Sequence, residues 1–367
     1  MPAQLALSLS SKPTQVGFAT GDIFGPMSAA DTDAYFAALA ATKVAVVRTD
    51  VKMVDVQPAR STDLTKDGSW SEPDKVVRAA VTHGQWLHLI ANAPARWVTD
   101  GMSNGDPAGW APSDGNGQND GVASFVTFAK AAAYRYCTVT TRLEVLSGAN
   151  KFQAYWLNTD AYAKLFVQVK AAVATVCPSI TVVPSGTASV GHTGDQEGYT
   201  PVDWYGELCK SSDFAGTSPA ANLQPFDFPM TPADPSNSAG QWAMVSKVNS
   251  VLHDKCKIDH PEVIISAIGW PTAGGGQNPV NDRYPVWKND HQAVTSARQA
   301  EFVADTIAGA KALRAGGVNV STVMFYSFRD EKSGDPDIWK NMGLFNDKYT
   351  VKDQKSVDAI AAFANGT

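Results

Sequence analysis

The chain reads as one α/β domain, a (β/α)8 TIM barrel with long loops on its C-terminal face. Three observations predict this. Apolar, β-rich runs alternate with helical patterns over nearly all 367 residues. Eight strand–helix units can be traced, which suits a closed barrel better than a doubly wound sheet. The strands are continuous apolar runs, as a parallel sheet covered on both faces requires. Composition agrees, with 44% of residues hydrophobic and 18% charged. That is enough apolar material for a large core and excludes a disordered or fibrous chain.

The elements follow in order. A first strand is predicted over 16–19. Residues 28–42 read as a helix, with Ser28 as N-cap and acidic residues in the first turn. Strands follow at 44–48 and 86–91. Residues 100–121, rich in Gly, Asn and Asp, read as a long loop. A helix over 122–136 contains the Ala-rich stretch 129–133, which favours helix. Strand 140–146, helix 159–176 and strand 180–184 come next. Strand 221–226 leads into 226–240, which is rich in Pro and Asp and reads as a loop. Strand 262–268, loop 274–291, helix 295–315 and strand 321–327 complete the pattern. Long loops after barrel strands belong to the face where barrel enzymes hold their active sites.

Charge and motifs exclude several functions. Lys and Arg number 30 against 36 Asp and Glu, a net charge of −6. No basic face is implied, so nucleic acid is not an expected partner. No apolar run approaches the ~20 residues of a membrane span. Residues 1–15 form a polar arm outside the repeat, and 16–367 form the barrel domain. The arm has an apolar patch at 5–9, no charged n-region and no cleavage site, so no signal peptide is visible. It is expected to dock the barrel on neighbouring subunits of a larger assembly. There is no P-loop, HExxH, GxSxG or Rossmann fingerprint. The six histidines, at 83, 88, 192, 253, 260 and 291, do not cluster at ligand spacing and are expected to be ordinary surface or core residues. No metal and no cofactor is expected.

The strand ends carry a resemblance. Val47-Arg48-Thr49-Asp50 looks like the strand-two segment of retaining (β/α)8 glycosidases, the cellulase-like and xylosidase/iduronidase-like families. Ala93-Pro94-Ala95-Arg96-Trp97 is similar to their "TPAWA" turn after strand three. Phe325-Tyr326-Ser327-Phe328-Arg329-Asp330 resembles their "WYSWRD" end of strand eight. Gly343-Leu344-Phe345 with Lys352 resembles their "GLLD…KP" tail. Each piece is weak alone, and their order and spacing make them specific together. The resemblance runs from about residue 16 to 361.

The departures fall on the catalytic positions. In those families strand four ends in "YEIWNEPN", whose second Glu is the general acid/base. Here Leu143-Glu144-Val145-Leu146-Ser147-Gly148-Ala149-Asn150 places Gly148 at that position. Strand seven in the families ends in "TEFGWPT", whose Glu is the nucleophile. Here Ser266-Ala267-Ile268-Gly269-Trp270-Pro271-Thr272 places Ala267 there. The strand-six "HPY" is replaced by Gln224-Pro225-Phe226. Retaining hydrolysis needs two carboxyl groups about 5–5.5 Å apart. Gly148 and Ala267 supply neither. The changes spread over several motif positions, as natural loss of activity would leave them.

The expected function is therefore a catalytically inactive glycosidase-like barrel, serving as a structural or glycan-recognition module. Trp97, Trp110, Gln224, Trp270, Phe325, Phe328 and Asp330 are candidate glycan-binding residues, since sugar rings stack on aromatic faces. The bland alternative makes Trp270 and Phe325 plugs of the barrel mouth, or lets Leu146, Phe226 and Trp270 fill the cleft. Arg48 and Glu144 are expected to form an ion pair inside the barrel, because a lone buried Glu needs a partner. The rival function is an active hydrolase with relocated carboxylates at Asp50, Glu144 or Asp330.

Cysteine positions add a location. Cys137 and Cys177 each precede a predicted strand, the fourth and the fifth. Cys209 lies before the sixth strand and Cys256 before the seventh. Bridges Cys137–Cys177 and Cys209–Cys256 would staple neighbouring units at the bottom of the barrel, the alternative being four free thiols. Bridges place the protein outside the cell. Without a visible secretion signal, a phage tail protein contacting an actinobacterial cell surface fits, with a cell-surface glycan as partner.

Overall fold

The computed structural model describes residues 13–21, 23–99, 112, 120–151, 158–188, 198–217, 219–224, 236–274 and 293–366, with backbone alone for 236–241. Nine parallel strands form one curled sheet in the order β5-β4-β3-β2-β1-β9-β8-β7-β6. They are β1 (Gln15–Ala19), β2 (Val46–Lys52), β3 (Trp86–Asn92), β4 (Thr140–Val145), β5 (Thr181–Val183), β6 (Thr187–Ala188), β7 (Ala221–Gln224), β8 (Glu262–Ile268) and β9 (Asn319–Tyr326). The short β5 and β6 are two halves of one barrel strand. The first half pairs with β4 and the second with β7. Pro184, which has no N–H to give, stands at the break. Side chains stitch this seam: Asn222 Nδ2 donates to the Pro184 carbonyl at 2.8 Å, and Ser185 Oγ accepts from Ala149 N at 2.9 Å. The result is the eight-stranded (β/α)8 barrel read from the sequence.

Each of the eight predicted strands is present, 262–268 with the same ends and the others with shifted ones. The first begins at Gln15, whose side chain accepts from Arg142 Nη1 at 2.8 Å, and Thr14 Oγ1 already donates to the Val320 carbonyl. The polar arm is thus tied into the barrel floor from Thr14. Residues 1–12 lie outside the described residues.

Helices begin where side chains satisfy their free N–H groups. Ser28 Oγ accepts from Asp31 N at 3.1 Å and opens helix Ala29–Ala40. Asn158, Thr200, Thr295 and Asp353 do the same for Thr159–Ala174, Pro201–Leu208, Ser296–Ala315 and Gln354–Ala364. The loop reading of 226–240 is corrected from Ser236 onward, where helix Ser236–Asp254 begins. Its opening Ser-Asn-Ser residues imitate a loop, yet such residues are tolerated in a first turn. The expected loops over 100–121 and 274–291 fall largely outside the described residues. Within the first, Pro112 bridges to Thr99 and Gly121 opens helix Gly121–Arg135.

The two faces of the sheet differ. Residues facing the helices are apolar: Phe18, Val47, Leu89, Val145, Ile265 and Phe325 all join one continuous core. The alternate residues face the barrel interior, since side chains switch sides along a strand. These carry most of the polar groups: Arg48, His88, Arg142, Glu144, Asn222 and Thr322. At the floor Arg142 Nη2 pairs with Glu262 Oε1 at 2.8 Å, which also accepts from Ser321 Oγ.

Both expected disulfides are present. Cys137–Cys177 and Cys209–Cys256 have Cα atoms 5.7 and 4.8 Å apart. Cys137, Cys177 and Cys256 lie at helix–strand junctions on the floor side, and Cys209 caps helix Pro201–Leu208 just before a short helix, Ser212–Gly216. The bridges point to an oxidising, extracellular setting. Among the described residues no helix is long and apolar enough to cross a membrane.

Candidate functional site

The parallel strands all present their C-terminal ends to one mouth, where side chains from different strands converge. Glu144, on β4, is its buried anchor and is fully inaccessible. Arg48 on β2 donates to it twice, Nε to Oε2 and Nη2 to Oε1, each at 2.7 Å. Gly186 N donates to Oε1 at 2.7 Å, and His88 Nε2 on β3 lies 3.2 Å from Oε2. Burial works against the Glu144 charge, but Arg48 and His88 prevail and hold its carboxyl down at about 2. Burial also pushes His88 down, to about 4, despite the carboxylate beside it. His88 is therefore a neutral imidazole inside the barrel. Reading it as an ordinary core histidine missed its place against Glu144. The signal was its position on β3, directly paired in register with Arg48.

Ser147 extends this network toward solvent. Its Oγ accepts from Arg48 Nη2 at 3.0 Å and from Gln224 Nε2 at 2.8 Å. Gln224 is thus a buried positioning group rather than an open sugar contact. Leu146, expected to point inward beside Glu144, turns out into the apolar core at φ +62. Asn150 holds the seam strand, donating to the carbonyls of Ala188 and Tyr199 and accepting from Ala188 N.

Gly148 sits just past β4 with φ +75, a left-handed conformation that favours glycine. A Cβ there would meet nothing nearer than Lys151 Cδ at 3.8 Å. Ala267 is 1% exposed, packed inside the barrel with Ala19, Val46, Met324 and Tyr326.

Of the remaining carboxyls, Asp50 is the freest. It accepts from Asn92 Nδ2 at 2.7 Å, and burial raises its carboxyl above the ordinary range against the pull of Arg48. Beside it opens a cavity of about 370 Å3, lined by Gly21, Phe24, Asp50, Lys52, Asp55 and Glu72 among others. That volume lies within the roughly 300–1,000 Å3 of small-ligand sites. Asp330 is 1% exposed and its acceptors are occupied by Lys352 Nζ at 2.6 Å, Ser333 Oγ and Gly343 N. Buried and bonded in this way, it ties the C-terminal tail to the end of β9.

The aromatic platform is corrected. Phe325 and Phe328 are buried in the helix-facing core, Phe328 between Phe18, Tyr35 and Phe345. Trp270 is also buried and stacks on Phe302, 5.2 Å between centroids, so it neither receives a sugar nor plugs the mouth. Trp97 is half-buried, with Nε1 donating to the Gln57 carbonyl and Arg60 lying over its ring. Trp110 and Phe226 lie outside the described residues. The aromatic pair at the mouth is instead Tyr326 and Trp339, edge to face at 6.2 Å, with Trp339 37% exposed. Trp339 falls between the motif pieces at 325–330 and 343–345, so the resemblance did not mark it. Among the described residues no group of three acidic, His or Cys side chains could hold a metal ion.

No protein-family model matches the chain, and no curated protein matches it by sequence. Solved structures do match. A family 39 glycoside hydrolase from Bacteroides cellulosilyticus superposes with a TM-score of 0.63 at 17% identity, over 97% of this chain and 64% of that one. GH5_18 from Streptomyces cattleya, solved with GlcNAc, gives 0.65 at 14% identity, over 96% and 80%. An exo-β-1,4-mannosidase from an Opitutaceae bacterium gives 0.61 at 12%, over 96% and 59%. The chain thus spans less than two thirds of the first and third of these proteins. It has the (β/α)8 fold of glycoside hydrolases.

Proposed function

We propose that this chain is a noncatalytic glycan-recognition barrel. One observation supports the reading: Gly148 and Ala267, which the motif resemblance sets at the positions of the two catalytic carboxyls, stand beside open space and inside an apolar cluster, and neither carries an acid. Removing such groups from an enzyme usually costs several orders of magnitude in rate. Among the described residues nothing at the mouth takes over both roles. Glu144 is saturated by Arg48 and Gly186, and Asp330 by Lys352. Among the described residues Asp50 alone has the raised carboxyl that suits a general acid, and the carboxyls that share its cavity, Asp55 and Glu72, lie on the β2–β3 connection rather than at the strand-four and strand-seven ends where the resembled families place their pair. What is left at the mouth suits binding. Asp50, Lys52, Asp55 and Glu72 offer hydroxyl partners around a cavity, and Trp339 with Tyr326 offers an apolar face.

The two disulfides support action outside the cell. A virus tail meeting a bacterial surface glycan is the setting we favour, since attachment needs binding without cleavage.

The test pairs two assays on the intact protein. Immobilised surface polysaccharides and oligosaccharides should retain it, while aryl glycosides of common sugars should be hydrolysed no faster than background. Turnover that disappears in Asp50→Asn would overturn the reading in favour of an enzyme with a relocated acid. Absence of retention by any glycan would overturn the recognition role.

A further inference from the structure

A lysine lies where the acid/base carboxyl would have been rooted. Lys151 follows Gly148 by three residues, and its backbone N–H bonds back to the Gly148 carbonyl at 3.0 Å. This turn brings its Cδ and Cε to 3.8 and 4.0 Å from the Cβ position of Gly148, which is otherwise open. Among the described residues no carboxylate lies within ion-pair distance of its ammonium. Burial holds that ammonium below the ordinary lysine range, with no opposing acid to raise it. A partly buried cation with no carboxylate beside it among the described residues gains more from an arriving anion than a surface lysine does.

The rest of the β4 side agrees in sign. Glu144 is neutralised by Arg48, and Ser147 and Gln224 are uncharged. The acidic groups Asp50, Asp55 and Glu72 are gathered on the β1–β2 side, around the cavity. Among the described residues the mouth is therefore polarised, with Asp50, Asp55 and Glu72 beside Lys52 at one edge and Lys151 at the other. By the motif resemblance, the two carboxyl positions hold Gly148 and Ala267 here, with Lys151 beside the first.

We propose that the β4 edge of the mouth is an anion subsite, in which the Lys151 ammonium takes an acidic group carried by the bound glycan. The inference rests on the glycan-recognition reading and names its ligand class. Carboxylate of a uronic acid and phosphate of a polyol-phosphate polymer share the chemistry the site recognises.

Titration calorimetry on the full chain would use three probes at low salt: an oligouronate, an oligomeric glycerol phosphate and a neutral oligosaccharide. One acidic probe should bind about tenfold or more tighter than the neutral one, as a charge-assisted bond allows. Which acidic probe does so assigns the group. Lys151→Met should remove that advantage while leaving neutral binding unchanged, and Lys151→Arg should retain it. Raising salt on the unmodified protein should weaken acidic binding selectively, which tests the idea even if Lys151→Met fails to fold. Equal binding of all probes, insensitive to salt and to Lys151→Met, would overturn the anion subsite and leave the recognition role standing. No binding of any probe would overturn both.

Discussion

Arg48 and Glu144 lie on strands far apart in sequence and are joined by two hydrogen bonds of 2.7 Å within the barrel. Both side chains are almost wholly removed from water, 7% and 0% exposed. Taking one charge away leaves the other stranded. Glu144→Ala should therefore destabilise the protein by about 3–5 kcal/mol, whereas a well-packed apolar pair at both positions should cost much less. Urea unfolding of the single and double variants checks this. Equal stability of all three proteins would mean that water reaches the pair.

The same network fixes the acid limb of stability. His88 takes up its proton near 4 in the folded protein instead of its ordinary 6.5. The unfolded chain thus binds more protons between these values, so stability falls as pH drops from about 6.5 to 4. Glu144 titrates near 2 when folded against an ordinary 4.5, so its share is present above 4.5 and is lost as pH falls toward 2. Melting curves should decline in two stages. A His88→Gln variant should lose the upper stage, worth up to about 3 kcal/mol, and keep the lower one.

Rebuilding the absent carboxyls should have unequal costs. Gly148→Glu meets open space but forces a side chain into a left-handed conformation, at roughly 1 kcal/mol. Ala267→Glu places a carboxyl among Ala19, Val46 and Met324, and should cost about 1–3 kcal/mol or more. On the proposed reading the double variant should melt lower and show no turnover of aryl glycosides, because Ser147 and Gln224 stand where the resembled motifs have Asn and His. Unchanged melting with measurable turnover would show a mouth that is still nearly competent.

The bridges close loops with sequence separations of 40 and 47. Each should contribute roughly 2–4 kcal/mol, mostly by restricting the unfolded chain. Cys137→Ser with Cys177→Ser should lower the melting temperature and leave glycan retention intact below it. Loss of retention in a still-folded variant would show that the floor and the mouth are coupled.

Much of the barrel was legible because its strands are long apolar runs bounded by turn residues. The split of the fifth strand was not, since Pro184 reads equally as a strand end. Helix Ser71–Thr82 was missed because its buried stripe is Pro73, Val76, Ala79 and Ala80, too small a set to stand out. At the site, the Arg48–Glu144 pair followed from burial and charge alone. The aromatic residues failed because motif position says which strand end a ring occupies, not which face of the sheet it joins. Phe325 differs from Tyr326 by one residue, and that single step moves a ring from the mouth to the core. Lys151 carried no signal until Gly148 was seen to leave room beside it.

The bridges lie at the opposite end of the barrel from the mouth. Stability is stapled at one pole while chemistry is displayed at the other. Substitutions at the mouth can therefore accumulate without loosening the staples. A lineage with this layout can abandon one trade and try another while its scaffold stays whole. A glycine, an alanine and a lysine at the mouth, as the proposed function reads them, are what such freedom would leave behind.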